Sequence, residues 1–162
     1  MTDFRALIRT LAEAEVEFIL IGGVAAAAHG SARLTADVDV VYRRSAENIE
    51  RLALALGPHQ PYLRGAPPGL PFRWDTPTIR RGLNFTLTTA LGEIELLGEM
   101  VGGGTYEDLR PGSMTIQVFG VACLCLNLEQ LIRAKRAAGR PKDLEAIAEL
   151  EAIREEQSKS RG

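Results

Sequence analysis

The chain reads as an α/β protein, a mixed, twisted β-sheet flanked by helices with a helical pair at the C-terminal end. Three patterns predict this class. Apolar residues recur at i, i+3, i+4 and i+7 in Phe4, Leu7, Ile8 and Leu11, and again in Ile49, Leu52, Ala53 and Leu56. That spacing marks helices with one buried face. Short apolar runs at 17–21 and 38–42 lie between these segments. Two further runs, 83–88 and 93–97, flank Ala90-Leu91-Gly92 and read as a hairpin. At 162 residues the chain is long enough for one substantial core, and it shows no internal repeat or linker. A single domain over 1–157 is expected, with 158–162 as a disordered tail.

In order, the first helix is expected over about 3–14 and a buried strand over 17–21. Gly22-Gly23 then allows a sharp turn and brings bare backbone N–H groups above the strand. A short alanine helix over 24–28 follows, stopped near Gly30. Its N-terminus would offer unpaired N–H groups to a phosphate. The next strand carries Asp37 and Asp39. Ser45 then reads as an N-cap, with Glu47 in the first turn of a helix running to about Leu56.

Six of the eight prolines fall between Pro58 and Pro77, so 57–82 is expected to be irregular. A segment of this length and kind is usually functional or mobile. With Tyr62, Phe72 and Trp74 among Arg64, Arg73, Arg80 and Arg81, it reads as a loop packed over the sheet and shaping a substrate cleft. Beyond the hairpin, 102–112 reads as a glycine-rich loop, and 114–119 and 121–126 as strands around Gly120. A helix from Asn127 ends near Gly139. Pro141 starts the next one, with Leu144, Ile147 and Leu150 on its apolar face.

The formal charge of −2 argues against a dedicated nucleic-acid coat but leaves room for a local basic site. No apolar run approaches a membrane span, and acidic residues interrupt the N-terminal apolar pattern where a secretory signal would lie. No membrane association is therefore expected. Cys123 and Cys125, in VACLCL, read as two small buried side chains rather than a disulfide or zinc site, which fits a reducing cytoplasm.

The strongest chemical signal is Asp37-Val38-Asp39-Val40. Residues two apart on a strand share a face, so the two carboxylates stand side by side while the valines point into the core. Like charges at that distance repel unless a cation lies between them. A hard divalent cation with oxygen ligands, Mg²⁺ above all and Mn²⁺ as the alternative, suits the pair. A solvated face of an edge strand is the competing explanation for alternating Val and Asp.

An apolar strand, Gly22-Gly23, thirteen residues, and then Asp-x-Asp between hydrophobics resembles the signature of the DNA-polymerase-β-like nucleotidyltransferase superfamily. The third carboxylate of that superfamily lies on a later strand between hydrophobics, a position that Ile94-Glu95-Leu96 fits, with Glu93 as the alternative on the same face. The lead-in Arg33-x-Thr35-x-Asp37 and the ending Lys135 … Arg140-Pro141-Lys142-Asp143-Leu144 are similar to small bacterial nucleotidyltransferases related to abortive-infection toxins.

The resemblance implies a nucleotidyltransferase fold. It implies transfer of a nucleoside monophosphate from an NTP to a hydroxyl of a tRNA end, a protein or a small molecule, with a toxin–antitoxin partner protein in many such systems. Asp37, Asp39 and Glu95 would be the catalytic metal ligands, holding two ions about 4 Å apart. Gly22, Gly23, Arg33, Thr35 and Lys135 would bind the phosphates, with Ser31, Lys142 and Asp143 as further candidates. In this family the third carboxylate is more often Asp. The Glu at 95 keeps a second reading open, a catalytically weak domain of the same fold that regulates or neutralises a partner protein. Arg133, Lys135, Arg136, Arg140 and Lys142 form a cationic run that a solvated helix face explains as well as phosphate binding does.

Overall fold

The computed structural model describes residues 1–32 and 35–161. Helix α1 (Phe4–Glu13) starts at Asp3, whose side chain accepts a hydrogen bond from the Ala6 N–H, and it buries Leu7, Ile8 and Leu11. Strand β1 (Phe18–Ile21) is buried along its whole length, as four consecutive apolar residues require. Helix α2 (Gly22–Ala28) begins directly on the two glycines. The glycines thus form its first turn rather than a separate turn ahead of it, and Gly22 alone takes a left-handed φ of 67° to make the strand-to-helix corner. Strand β2 (Val38–Tyr42) follows, with Val38 and Val40 fully buried and Asp39 half-exposed between them. Helix α3 (Ala46–Leu56) is capped by Ser45, as its sequence suggests. Asn48, buried in that helix, bonds the backbone of both Glu17 and Arg43 and so ties β1 to the end of β2.

The proline-rich segment is more regular than its composition suggests. Strand β3 (Tyr62–Leu63) and helix α4 (Thr76–Arg81) lie within it. Pro77 is compatible with α4 because it occupies the first turn, where no N–H is needed, and Asp75 supplies the cap. Tyr62, Phe72, Trp74 and Phe85 make a chain of ring contacts that fastens the segment to the sheet. The hairpin is β4 (Asn84–Thr89) with β5 (Gly92–Leu97). The stretch 102–112, expected as a loop, together with the residues just before it holds the ribbon β6 (Glu99–Met100) with β7 (Gly104–Thr105) and helix α5 (Tyr106–Leu109). A reciprocal cap between Thr105 and Asp108 forms that helix.

Strands β8 (Ser113–Val118) and β9 (Val121–Leu126) turn at Phe119-Gly120. They lead into α6 (Leu128–Ala138), capped by Asn127 and ended by left-handed Gly139. Helix α7 (Pro141–Arg161) takes in residues 158–161, which the sequence suggested as tail. The Lys159–Glu155 pair spaced i, i+4 and the absence of Gly or Pro favour its continuation.

The main sheet runs β3-β4-β5-β2-β1-β9-β8 and mixes parallel and antiparallel pairs. Helix α1 packs on β2, β5 and β9 and against α3, while α2 packs on β1 and β2 and against α6, which pairs with α7. Cys123 and Cys125 are buried free thiols of β9. No helix among the described residues is long and apolar enough to cross a membrane.

Candidate active site

The site grows from the register of two central strands. β2 and β5 run parallel and pair Asp39 with Glu95, so both side chains leave the sheet on the same face. Asp37 lies one residue before β2 and joins them. One carboxylate oxygen from each of Asp37, Asp39 and Glu95 falls within 4.8 Å of the others.

The flanking backbone is shaped around this cluster. A side chain at Gly22 would collide with the Asp39 carboxylate, and one at Gly23 would collide with Thr35. The double glycine is therefore needed for close approach as well as for the corner. The Thr35 hydroxyl donates to the Asp37 carbonyl at 3.1 Å, which fixes the lead-in loop and commits that proton internally.

The electrostatics are unbalanced. Burial, then the charges of Asp37 and Glu95, push the Asp39 carboxyl from its usual 3.8 up to about 8. Its Oδ1 is enclosed and has no hydrogen-bond partner. Three convergent carboxylates with one orphaned buried oxygen are the donor set that a hard divalent cation takes.

Arg64 offsets part of the charge, with Nη1 3.1 Å from Asp37 Oδ2. It is held in place by a bond from Nη2 to the Leu87 carbonyl, and its Nε lies 3.8 Å from Glu93 Oε2. Glu93, the alternative third ligand, thus faces Arg64 and stands outside the three-carboxylate cluster. Arg64 is a site residue that sequence reasoning did not single out.

On the other side of the cleft, Asp143 at the start of α7 is 1% exposed. It binds Arg140 at 2.7 Å and Lys135 at 3.5 Å. The Arg140 side-chain hydrogen bond, ahead of the other influences, holds the Asp143 carboxyl below its usual range. Asp143 is therefore a brace for two cations, and Arg140 joins Lys135 in the cleft. The i, i+3 spacing of Arg140 and Asp143 was the available sequence signal for that pair.

Two adjoining cavities meet at Asp39 and Glu95. One of about 350 Å³ is lined by Gly23, Ser31, Thr35, Asp37 and Lys142. The other, of about 470 Å³, extends past Leu97 toward Met100 and Leu131. Gly22, Lys135, Arg140 and Asp143 border both. Arg33 lies outside the described residues. Glu93 lines neither cavity, and the remaining candidates from the sequence, namely Asp37, Asp39, Glu95, Gly22, Gly23, Thr35, Lys135, Ser31, Lys142 and Asp143, border this cleft.

The fold is shared with a crystal structure from Thermotoga maritima, a protein provisionally described as a nucleotidyltransferase. The TM-score is 0.54 over 92% of this chain and 94% of that one, at 15% sequence identity. No protein-family model and no curated protein matches the chain.

Proposed function

We propose that the protein transfers a nucleoside monophosphate from an NTP to an acceptor hydroxyl. The observation that carries this reading is the meeting of Asp37, Asp39 and Glu95, with the orphaned Asp39 oxygen, beside a cleft lined by Lys135 and Arg140. The shared fold supports it. The three carboxylates would hold Mg²⁺, with Mn²⁺ as the alternative, and the metal would neutralise charge on the attacking and leaving oxygens.

The chain's own residues do the rest. Lys135 and Arg140, oriented by Asp143, face the triphosphate, and the absence of a side chain at Gly22 and Gly23 lets it approach the backbone. The acceptor oxygen bonds the α-phosphorus as the bond to pyrophosphate breaks. The hydroxyl proton passes to Glu95, and pyrophosphate leaves along the cationic side. The acceptor is a hydroxyl of a tRNA end, a protein or a small molecule, and the sequence resemblance suggests a toxin–antitoxin pairing.

Incubation with labelled NTPs, Mg²⁺ and these acceptors should show transfer that disappears in the Asp37→Ala, Asp39→Ala double variant. Absence of transfer together with absence of metal-dependent NTP binding would refute the reading.

A second reading is a catalytically weak domain of this fold that regulates a partner protein. It is favoured by the Arg64–Asp37 pair, which already neutralises one carboxylate. Partner regulation surviving in the same double variant would select it.

A further inference from the structure

We infer that the chain forms a two-fold homodimer in which the β8 edge of one copy pairs with the β8 edge of a second, so that one sheet runs through both. The inference stands apart from nucleotidyl transfer and does not depend on it. The main sheet has two edges, β3 and β8, and they are built differently. β3 is blunted. It is two residues long, lies between Pro61 and Arg64, and is followed closely by Pro67 and Pro68. β8 runs for six residues, Ser-Met-Thr-Ile-Gln-Val, with no charge and no proline. Edges that must stay unpaired carry such residues, and an edge free of all of them is open to another strand.

The β8–β9 hairpin settles which backbone groups face outward. Val118 pairs with Val121 across the turn Phe119-Gly120, whose φ values are 51° and 81°. In a two-residue turn of this kind the closing pair exchanges its own hydrogen bonds. The alternation of an antiparallel ladder then points Val118, Ile116 and Met114 toward β9, and Gln117, Thr115 and Ser113 away from it. The Asn127 N–H, which donates to the Gly112 carbonyl at 2.9 Å, continues the same alternation. The Ser113 N–H is already taken by the Arg110 carbonyl. The N–H and carbonyl of Thr115 and of Gln117, and the Ser113 carbonyl, have no backbone partner among the described residues.

A second β8 laid antiparallel about Thr115 answers these groups. Each Thr115 N–H donates to the Thr115 carbonyl of the other copy, and each Gln117 N–H donates to the other copy's Ser113 carbonyl. The register sets Met114 opposite Ile116 and Thr115 opposite Thr115. Apolar residues therefore meet on one face of the sheet and hydroxyls on the other. Met114, 45% exposed in the single chain, is covered by the pairing. A foreign strand is selected by charge as well as by backbone, and β8 has no charge to select with. Its own copy matches it by symmetry. The two-fold axis is normal to the sheet, so both clefts open on the same side. One strand pair is a small interface, so the dimer dissociates on dilution.

The test is sedimentation equilibrium of the full chain over a dilution series, with oxidative cross-linking of cysteine variants to read the register. The wild type should approach twice the 17.6 kDa chain mass at high concentration and fall toward the single mass on dilution. Thr115 is exposed, so Thr115→Lys spares the core, and it sets like charges opposite each other at the two-fold axis. It should weaken association by about fivefold or more, with an unchanged circular dichroism spectrum. Thr115→Cys should form a disulfide-linked dimer on oxidation, since a hydrogen-bonded antiparallel pair has its Cα atoms about 5.5 Å apart. Gln117→Cys should not, because it faces Ser113, and the native Cys123 and Cys125 are buried. A wild type that is monomeric at every concentration overturns the inference, even if it then pairs with a strand of another protein. So does association unchanged in Thr115→Lys, or cross-linking of Gln117→Cys as ready as that of Thr115→Cys.

Discussion

Asp39 and Asp143 border the same cleft, and their surroundings treat them in opposite ways. Asp143, 1% exposed, is braced by Arg140 and Lys135, and its carboxyl titrates below the usual range. Asp39, less buried as a residue but with one oxygen enclosed and unpartnered, has Asp37 and Glu95 for neighbours and titrates at about 8. What separates the two is that burial at Asp39 is left uncompensated and compounded by carboxylate neighbours, whereas burial at Asp143 is offset by two cations. A buried carboxylate supplied with cations by its own chain is framework. One surrounded by its own kind is kept in a state that a ligand from outside must relieve.

That contrast is broken most directly by Asp39→Asn. Removing one ligand of the cluster should lower nucleotidyl transfer by on the order of 10³-fold or more, measured with saturating Mg²⁺ and NTP. The same substitution should stabilise the metal-free protein. Because the native Asp39 value of about 8 exceeds the ordinary 3.8, the folded chain holds a proton that the unfolded chain lacks between those values. Stability therefore falls as pH rises through that interval, and the penalty is complete above about 8. Asparagine escapes it, and denaturant midpoints at pH 8 in chelator should show a gain of about 2 kcal/mol.

Asp143→Ala should do the reverse, costing about 2 kcal/mol at neutral pH through lost charge-assisted hydrogen bonds. The Asp143 contribution is present above the ordinary carboxylate range and is lost as pH falls through its lowered pKa. Shifts of the same sign in the two variants would erase the distinction between them.

Much of this arrangement was readable in the residues. The Asp-x-Asp alternation, the double glycine and a carboxylate flanked by Ile94 and Leu96 are local patterns, and the sheet brings them together through the Asp39–Glu95 register. Arg64 was not readable as a site residue, because its place depends on a non-local pairing. β3 is two residues long, and its alignment of Leu63 with Leu87 is what carries the next residue to the cluster. No periodicity encodes such a register. Helix α4 was hidden for a different reason, since Pro77 reads as a breaker unless the cap at Asp75 is recognised first. The role of Asp143 was open in the sequence because a carboxylate at a helix start serves equally as a cap or as an ion-pair partner.

The contrast sharpens further in metal binding. Taking a cation must release the Asp39 proton, so apparent Mg²⁺ affinity should rise up to about tenfold per pH unit from neutrality to about 8 and then level off. Titrations in buffers of different ionisation enthalpy would count that proton, and a flat profile would show that Asp39 is already charged.

The smallest effect expected is that of Arg64→Met. The guanidinium lies 3.1 Å from Asp37 and is mostly shielded from solvent, so it opposes an incoming cation at close range. Screening by water and by the other carboxylates limits the benefit of removing it to about three- to tenfold tighter Mg²⁺ binding, with weaker dependence on salt in the wild type than for an exposed pair. The metal-free variant should also be less stable at neutral pH, because one carboxylate of the cluster has lost its only nearby counter-charge among the described residues. If Arg64→Met instead binds Mg²⁺ more weakly, Arg64 orients Asp37 for the metal more than it competes with it, and the cluster then carries some of the framework character that Asp143 shows on the opposite wall.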